Sequence, residues 1–288
     1  MFRFLTVGIK HALRLHRPGR TLLIRPDDVF LVSFPKSGNT WTRFLLANLI
    51  HPGEPATFAN IHLLIPEPSG TSNRDFDRMP DPRIIKSHEC FDPRYPRVIY
   101  IVRDPRDVVL SQYHYHRKLK RIADDSPLET FVTRFLAGET CPHGSWGQNV
   151  ATWLATSEGS PRFLVLRYED MIADTARELS KITSFLGMSV RPGQIDRAVE
   201  LSSAQRMRQM EATQTDQCDL TKGSRKDLSF VRAAGAGGWR AELPPSQVAR
   251  LESAWGPIMQ HLGYDLVDPT LGEAKRYEAL GIFDAATR

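Results

Sequence analysis

From residue 29 onward, apolar runs of strand length alternate with stretches of helical periodicity. Residues 29–34, 83–86, 97–102 and 162–167 each read as a short strand bounded by turn residues. Apolar spacing at i, i+3 and i+4 predicts helices over 40–50, 105–117, 127–137, 147–155, 175–186, 193–201, 204–212 and 245–262. Asp174 and Ser189 suit cap or turn positions near helix ends, and Gly187 suits a stop after Leu186. A strand, a turn and a helix in repeated succession form βαβ units. The fold class predicted is therefore α/β: one domain, with a central parallel β-sheet flanked by helices in a P-loop-like arrangement. The domain is placed at 29–265, between an N-terminal extension (1–28) and a C-terminal extension (266–288).

Two stretches break the pattern. Residues 66–82 are rich in Pro, Gly, Asp and Ser, and residues 213–238 lack periodicity and end in glycines. Long irregular segments inside a domain act as lids, binding loops or linkers, and these two are read as mobile lids. Trp146 and Trp153 stand seven residues apart on one helical face and are assigned to the core with Phe34, Phe44 and Leu45.

Charge changes the picture modestly. Thirty-eight Lys and Arg against 33 Asp and Glu leave a net charge of +5, dispersed along the chain. That distribution favours a small anionic ligand over a nucleic acid or a stable membrane contact. The three cysteines, Cys90, Cys141 and Cys218, share no metal or disulfide spacing and point to a reducing, cytoplasmic setting. Arg3, Lys10, His11 and Arg14 interrupt the apolar N-terminal segment, leaving it too short to span a bilayer. It reads as an amphipathic helix, either packed on the body or touching a membrane surface. No metal site is read: His114 and His116, two apart on a helix, fall on different faces.

Chemistry concentrates in two strand–turn–helix junctions. The first is Phe34-Pro35-Lys36-Ser37-Gly38-Asn39-Thr40-Trp41, where a lysine, two hydroxyls and backbone N–H groups meet at a helix N-terminus. Such a turn suits phosphate or sulfate. It is not a Walker A loop, because the lysine precedes the Ser-Gly pair and the first glycine is missing. The second junction places Arg103 after an apolar strand, Pro105 at a helix start and Ser111 eight residues past Arg103. Ligands in open α/β sheets collect at the carboxyl ends of strands, so Lys36 and Arg103 are expected to face one crevice.

Together, PKSGNTW and IVRDPRDVVLSQYHY resemble the PAPS-dependent sulfotransferase family of the cytosolic type, where PAPS is 3′-phosphoadenosine 5′-phosphosulfate. Further matches follow in family order: Lys86-Ser87-His88, Gly144-Ser145-Trp146 through Val150, Tyr168-Glu169-Asp170-Met171, and Phe230 through Trp239. The resemblance runs from about residue 29 to residue 262. It implies Lys36, Ser37, Gly38, Asn39, Thr40 and Trp41 around the 5′-phosphosulfate, and Arg103, Ser111 and Arg232 on the 3′-phosphate. It further implies Tyr168 near the adenine, with Ser202 and Gly237 also in the donor site. His88 would be the catalytic base. PAPS would be the donor and 3′,5′-ADP the product.

Several positions depart from the family pattern. Asn39 replaces threonine, Asn149 replaces histidine, and Ala204 stands where an aromatic residue often stacks on adenine. Ala233, Ala234 and Gly238 stand where Lys, Gly and Asp are usual. The family's dimer element has no counterpart in 240–246.

The resemblance implies sulfuryl transfer to the hydroxyl, or the amine, of a small-molecule acceptor. Donors and cations fixed at the leaving phosphate lower that barrier without a metal. An imidazole with a pKa near 6.5 accepts the acceptor's proton, a role typically contributing about 10²–10⁴-fold. Lys86, two residues before His88 on an extended strand, shares its side and would help neutralise the transferring group, with Lys36 at the departing phosphate. His62 and residues 91–95 either line the acceptor pocket or are simply loop. Two alternatives stay open at this point: a P-loop kinase-like enzyme, and a non-catalytic 3′,5′-ADP-binding protein.

Overall fold

The computed structural model describes residues 22–214, 223–232 and 234–270. The expected N-terminal amphipathic helix, Cys218, Ala233 and most of the C-terminal extension therefore fall outside the described residues. Strands β1 (Val29–Ser33), β2 (Ile84–Ser87), β3 (Arg97–Val102) and β4 (Phe163–Arg167) form one parallel sheet in the order β2-β1-β3-β4. The register pairs Leu31 with Lys86 and Val32 with both Ser87 and Tyr100, so the ends of β1, β2 and β3 lie side by side.

Strand side chains alternate between two cores. Phe30, Val32, Ile85, Tyr100 and Val102 face one side. There they meet helices α4 (Pro105–Lys118), α5 (Leu128–Leu136), α6 (Trp146–Ser157) and α12 (Pro245–His261). Val29, Leu31, Ile84, Ile99 and Ile101 face the other. That side is covered by α1 (Asn39–Ile50), α8 (Thr175–Leu186) and α9 (Gln194–Leu201). A sheet buried on both faces needs the continuous apolar strands seen here. The expected α/β fold is present, and Trp146, Trp153, Phe34, Phe44 and Leu45 are all core residues.

Local chemistry sets the helix ends. Asp104 accepts the Arg106 N–H ahead of Pro105, and Ser145 with Gln148 forms a capping box. Asp174 caps α8, and Gly187 ends it at φ 68°. Ser189 is a correction: it lies in the loop after α8, and the N-cap of α9 is Gly193.

Four short helices escape the periodicity argument because they are too short to show it: α2 (Ile61–Leu64), α3 (Asn73–Asp77), α7 (Tyr168–Ala173) and α11 (Trp239–Glu242). Of these, α3 corrects the reading of 66–82 as a lid. Its Phe76 is 1% exposed, and its carbonyl accepts from buried Arg83. Arg83 also makes a bidentate pair with Asp28 at the foot of β1, tying this stretch to the sheet. The remaining helix, α10 (Ala204–Gln214), precedes the second irregular stretch; residues 223–232 and 234–238 of that stretch contain no helix or strand.

Candidate active site

The carboxyl end of β1 turns sharply into α1. Lys36 takes φ 72° and Gly38 takes φ 101°, and Gly38 is the N-cap of α1. A side chain at Gly38 is excluded twice, by that backbone angle and by Tyr168, whose Cδ2 would lie 2.5 Å from an added Cβ. Tyr168 opens α7 immediately after β4, so the first turn is built against the far strand of the sheet.

Lys36 projects into a cavity of about 450 Å³. Its Nζ sits 4.2 Å from the ring centroid of Tyr115 and 4.3 Å from that of Phe230. Burial, reinforced by Arg103, lowers its pKa to about 7, while Glu211 opposes the shift. Arg103, one residue past β3, lays its guanidinium over Tyr168 at 4.3 Å and donates to the Gly235 and Lys36 carbonyls. Ser111 and Tyr115 reach the same cavity from α4.

The same cavity also takes in His88, one residue past β2. Its Nδ1 lies 2.7 Å from the Ser33 carbonyl. A carbonyl only accepts, so Nδ1 carries the proton and Nε2 keeps its lone pair. The His88 carbonyl accepts from Asn149, which in turn accepts from Tyr100. Burial first, then Lys86, hold the imidazole well below its ordinary pKa; Glu67 works against them. The Lys86 ammonium bonds Glu67 at 2.6 Å. Burial would raise the Glu67 pKa, but Lys86 and His88 prevail and bring it down to about 2.

The cavity gathers Lys36, Gly38, Asn39, Thr40, Trp41, Lys86, His88, Arg103, Ser111, Tyr168, Ser202 and Arg232 from separate parts of the chain. Two expected residues stand apart. The Ser37 side chain is buried behind the turn, and Gly237 lines a separate cleft of about 230 Å³ and donates its N–H to Asp107. Ser202 is engaged on both sides, its Oγ accepting from Asn48 and its carbonyl from Trp41. Arg232 pairs with Glu242 at 2.6 Å. Ala204 lines the wall, as do Met207 and Val199.

Sequence reasoning assigned no role to Tyr115, Phe230 or Glu67. Tyr115 lies one helical turn past Ser111, a spacing that marks the same face. Glu67 left no local trace, because its partner is brought to it by the sheet. Ser37 Oγ and Arg103 Nε are buried donors without a hydrogen-bond partner. Of the two, Arg103 lines the cavity, and with the Lys36 ammonium it supplies the kind of donors an anion requires.

Comparison with known proteins agrees with this chemistry. The sequence model of the Sulfotransferase domain family matches residues 26–263. Sulfotransferase 1A1 of Bos taurus is 30% identical over 251 residues, covering 81% of this chain and 84% of its own. The 3-beta-hydroxysteroid sulfotransferase of Cavia porcellus is 29% identical over 265 residues, covering 88% and 90%. Among solved structures, mouse sulfotransferase SULT7A1 complexed with PAP superposes with a TM-score of 0.65 at 27% identity over 88% of each chain. Retinol dehydratase, in complex with androsterone and inactive cofactor PAP, shares the fold with a TM-score of 0.71 at 20% identity, covering 91% of this chain and 88% of its own.

Proposed function

The chain belongs to the sulfotransferase domain family and is a PAPS-dependent sulfotransferase, and we propose that His88 takes the acceptor's proton while the Lys36 turn and Arg103 hold the donor. The observation that supports this reading is convergence: two cationic strand ends and one neutral imidazole share a single cavity. Family membership sets aside the kinase-like alternative.

When bound, PAPS supplies the sulfuryl group, and 3′,5′-ADP leaves. The residues of this chain divide the remaining work. The Lys36 turn receives the 5′-phosphosulfate at the positive end of α1. Arg103, Ser111 and Arg232 receive the 3′-phosphate, and Tyr168, already packed beneath Arg103, borders the adenosine. Ser202 and Ala204 line the same cavity. Lys36 and Lys86 stabilise negative charge as it develops on the departing and transferring groups. His88 takes the acceptor proton at Nε2, with Nδ1 fixed on Ser33.

The acceptor is a small molecule bearing a hydroxyl or an amine. Phenols and steroids are the first to screen, since the curated relative from Cavia porcellus is named for a hydroxysteroid. We take residues 29–265 as the catalytic domain and place the enzyme in the cytoplasm. The cysteine spacing, which suits neither a disulfide framework nor a metal, supports that compartment. Among the described residues no helix is long and apolar enough to cross a membrane.

Calorimetry with 3′,5′-ADP, followed by an acceptor screen with radiolabelled donor, tests the proposal. Binding lost in Lys36→Ala and label transfer lost in His88→Ala are the expected results. A protein that binds 3′,5′-ADP but whose His88→Ala variant transfers label as well as wild type would show that His88 is not the base.

A further inference from the structure

One wall of the donor cavity is a strap without secondary structure, residues 223–232 and 234–238, held to the body by ionised side chains. At its start, the Lys118 ammonium donates to the carbonyls of Arg225 and Leu228. In its middle, the Glu211 carboxylate accepts the adjacent N–H groups of Phe230 and Val231, at 2.5 and 3.0 Å. At its end, Asp107 accepts the N–H groups of Gly237 and Trp239, at 2.6 and 3.0 Å. Lys118 and Glu211 also pair with each other at 3.2 Å, their side chains 3% and 9% exposed. Between the middle and end anchors the strap delivers Val231, Arg232 and Ala234 to the cavity, and Gly235 to Arg103. Phe230 itself forms half of the aromatic cage around the Lys36 ammonium.

We infer that Glu211, fixed by Lys118, is a positioning residue for donor binding: it sets the strap so that Phe230 and Arg232 face the Lys36 turn. A buried ion pair is weak evidence of a stabilising role, because apolar residues of equal volume fill such a space without desolvating charge. What apolar residues lack is two acceptor oxygens for two consecutive backbone N–H groups. Here the carboxylate meets both, at the residues whose side chains line the cavity. The strap is thus registered in its middle from α10 and at its start from α4, elements that already border the proposed donor site. This inference rests on the donor-site reading above.

The test compares wild type with Glu211→Gln, which keeps the shape but gives up the charge and one acceptor, and with Lys118→Met. Calorimetry measures the Kd of 3′,5′-ADP, and thermal melting of the unliganded proteins reports folding. Trypsin cleavage after Arg225 and Lys226 reports strap release. The expected result is a Kd raised about tenfold or more, from a lost charge-assisted acceptor, with faster cleavage after those two residues. Saturating 3′,5′-ADP should slow that cleavage in the variants. A purely structural role would lower the melting temperature and leave Kd unmoved below it. Folded Glu211→Gln with a Kd within about twofold of wild type would overturn the inference. If that variant does not fold, an unchanged Kd in Lys118→Met does the same. Wild type that fails to bind 3′,5′-ADP would overturn the donor-site reading, and this inference with it.

Discussion

With the donor placed at the Lys36 turn as proposed, the lowered pKa of Lys36 should make donor binding pH-dependent in a window where an ordinary lysine would be silent. Burial and Arg103 bring its ammonium to about 7 in the free protein. At pH 7 half of the molecules carry the charge, and at pH 9 about one in a hundred does. A nucleotide bound with phosphate against that ammonium keeps it protonated, so proton uptake on binding rises from about half a proton at pH 7 towards one at pH 9. By linkage, the Kd of 3′,5′-ADP rises about 50-fold between pH 7 and pH 9, equivalent to ~2.3 kcal/mol. The last phosphate ionisation of the nucleotide lies near pH 6 and does not contribute in this window. Calorimetry at half-unit intervals, in buffers of differing ionisation enthalpy, measures both the Kd and the proton uptake. Lys36→Met should bind weakly and with no slope, and wild type should approach it by pH 9. A wild-type curve as flat as that of Lys36→Met would refute the reasoning.

The other predictions concern His88, the turn and the sheet. His88→Ala should reduce turnover about 10²–10⁴-fold while 3′,5′-ADP still binds. In wild type, the acid limb of kcat/KM should fall below pH 6.5, because activity is lost only as pH drops through the depressed His88 pKa; a limb above 6.5 contradicts this. Gly38→Ala drives a Cβ into Tyr168 at φ 101° and should destabilise the fold by about 1–3 kcal/mol and weaken 3′,5′-ADP binding, read by urea unfolding and calorimetry. Arg83→Met leaves the fully buried Asp28 carboxylate unpaired and should cost about 3–5 kcal/mol in urea unfolding. A loss under about 1 kcal/mol would show that Asp28 finds another partner.

The sheet was legible because strand burial on both faces imposes unbroken apolar runs, as in Val29–Ser33 and Arg97–Val102. The site was legible where chemistry sits at strand ends, since a parallel sheet lines those ends up whatever lies between them. Lys36, His88 and Arg103 follow β1, β2 and β3, and so meet. Glu67, Phe230 and Glu211 were not legible in these roles. Their partners are 19, 194 and at least 19 residues away along the chain, and no periodicity records such a contact. Gly237 was misplaced for a related reason: the motif fixes its order in the chain, whereas Asp107 decides which way its N–H points.

Asn149 has a consequence for acid tolerance. From α6 its amide bridges the Tyr100 hydroxyl to the main chain at His88, and neither half of that amide gains or loses a proton in the physiological range. An imidazole in its place would change its donors as the medium soured and shift the floor beneath the His88 ring. With a carboxamide there, acidification reaches the His88 imidazole without first unseating it, and recovery on neutralisation should be immediate.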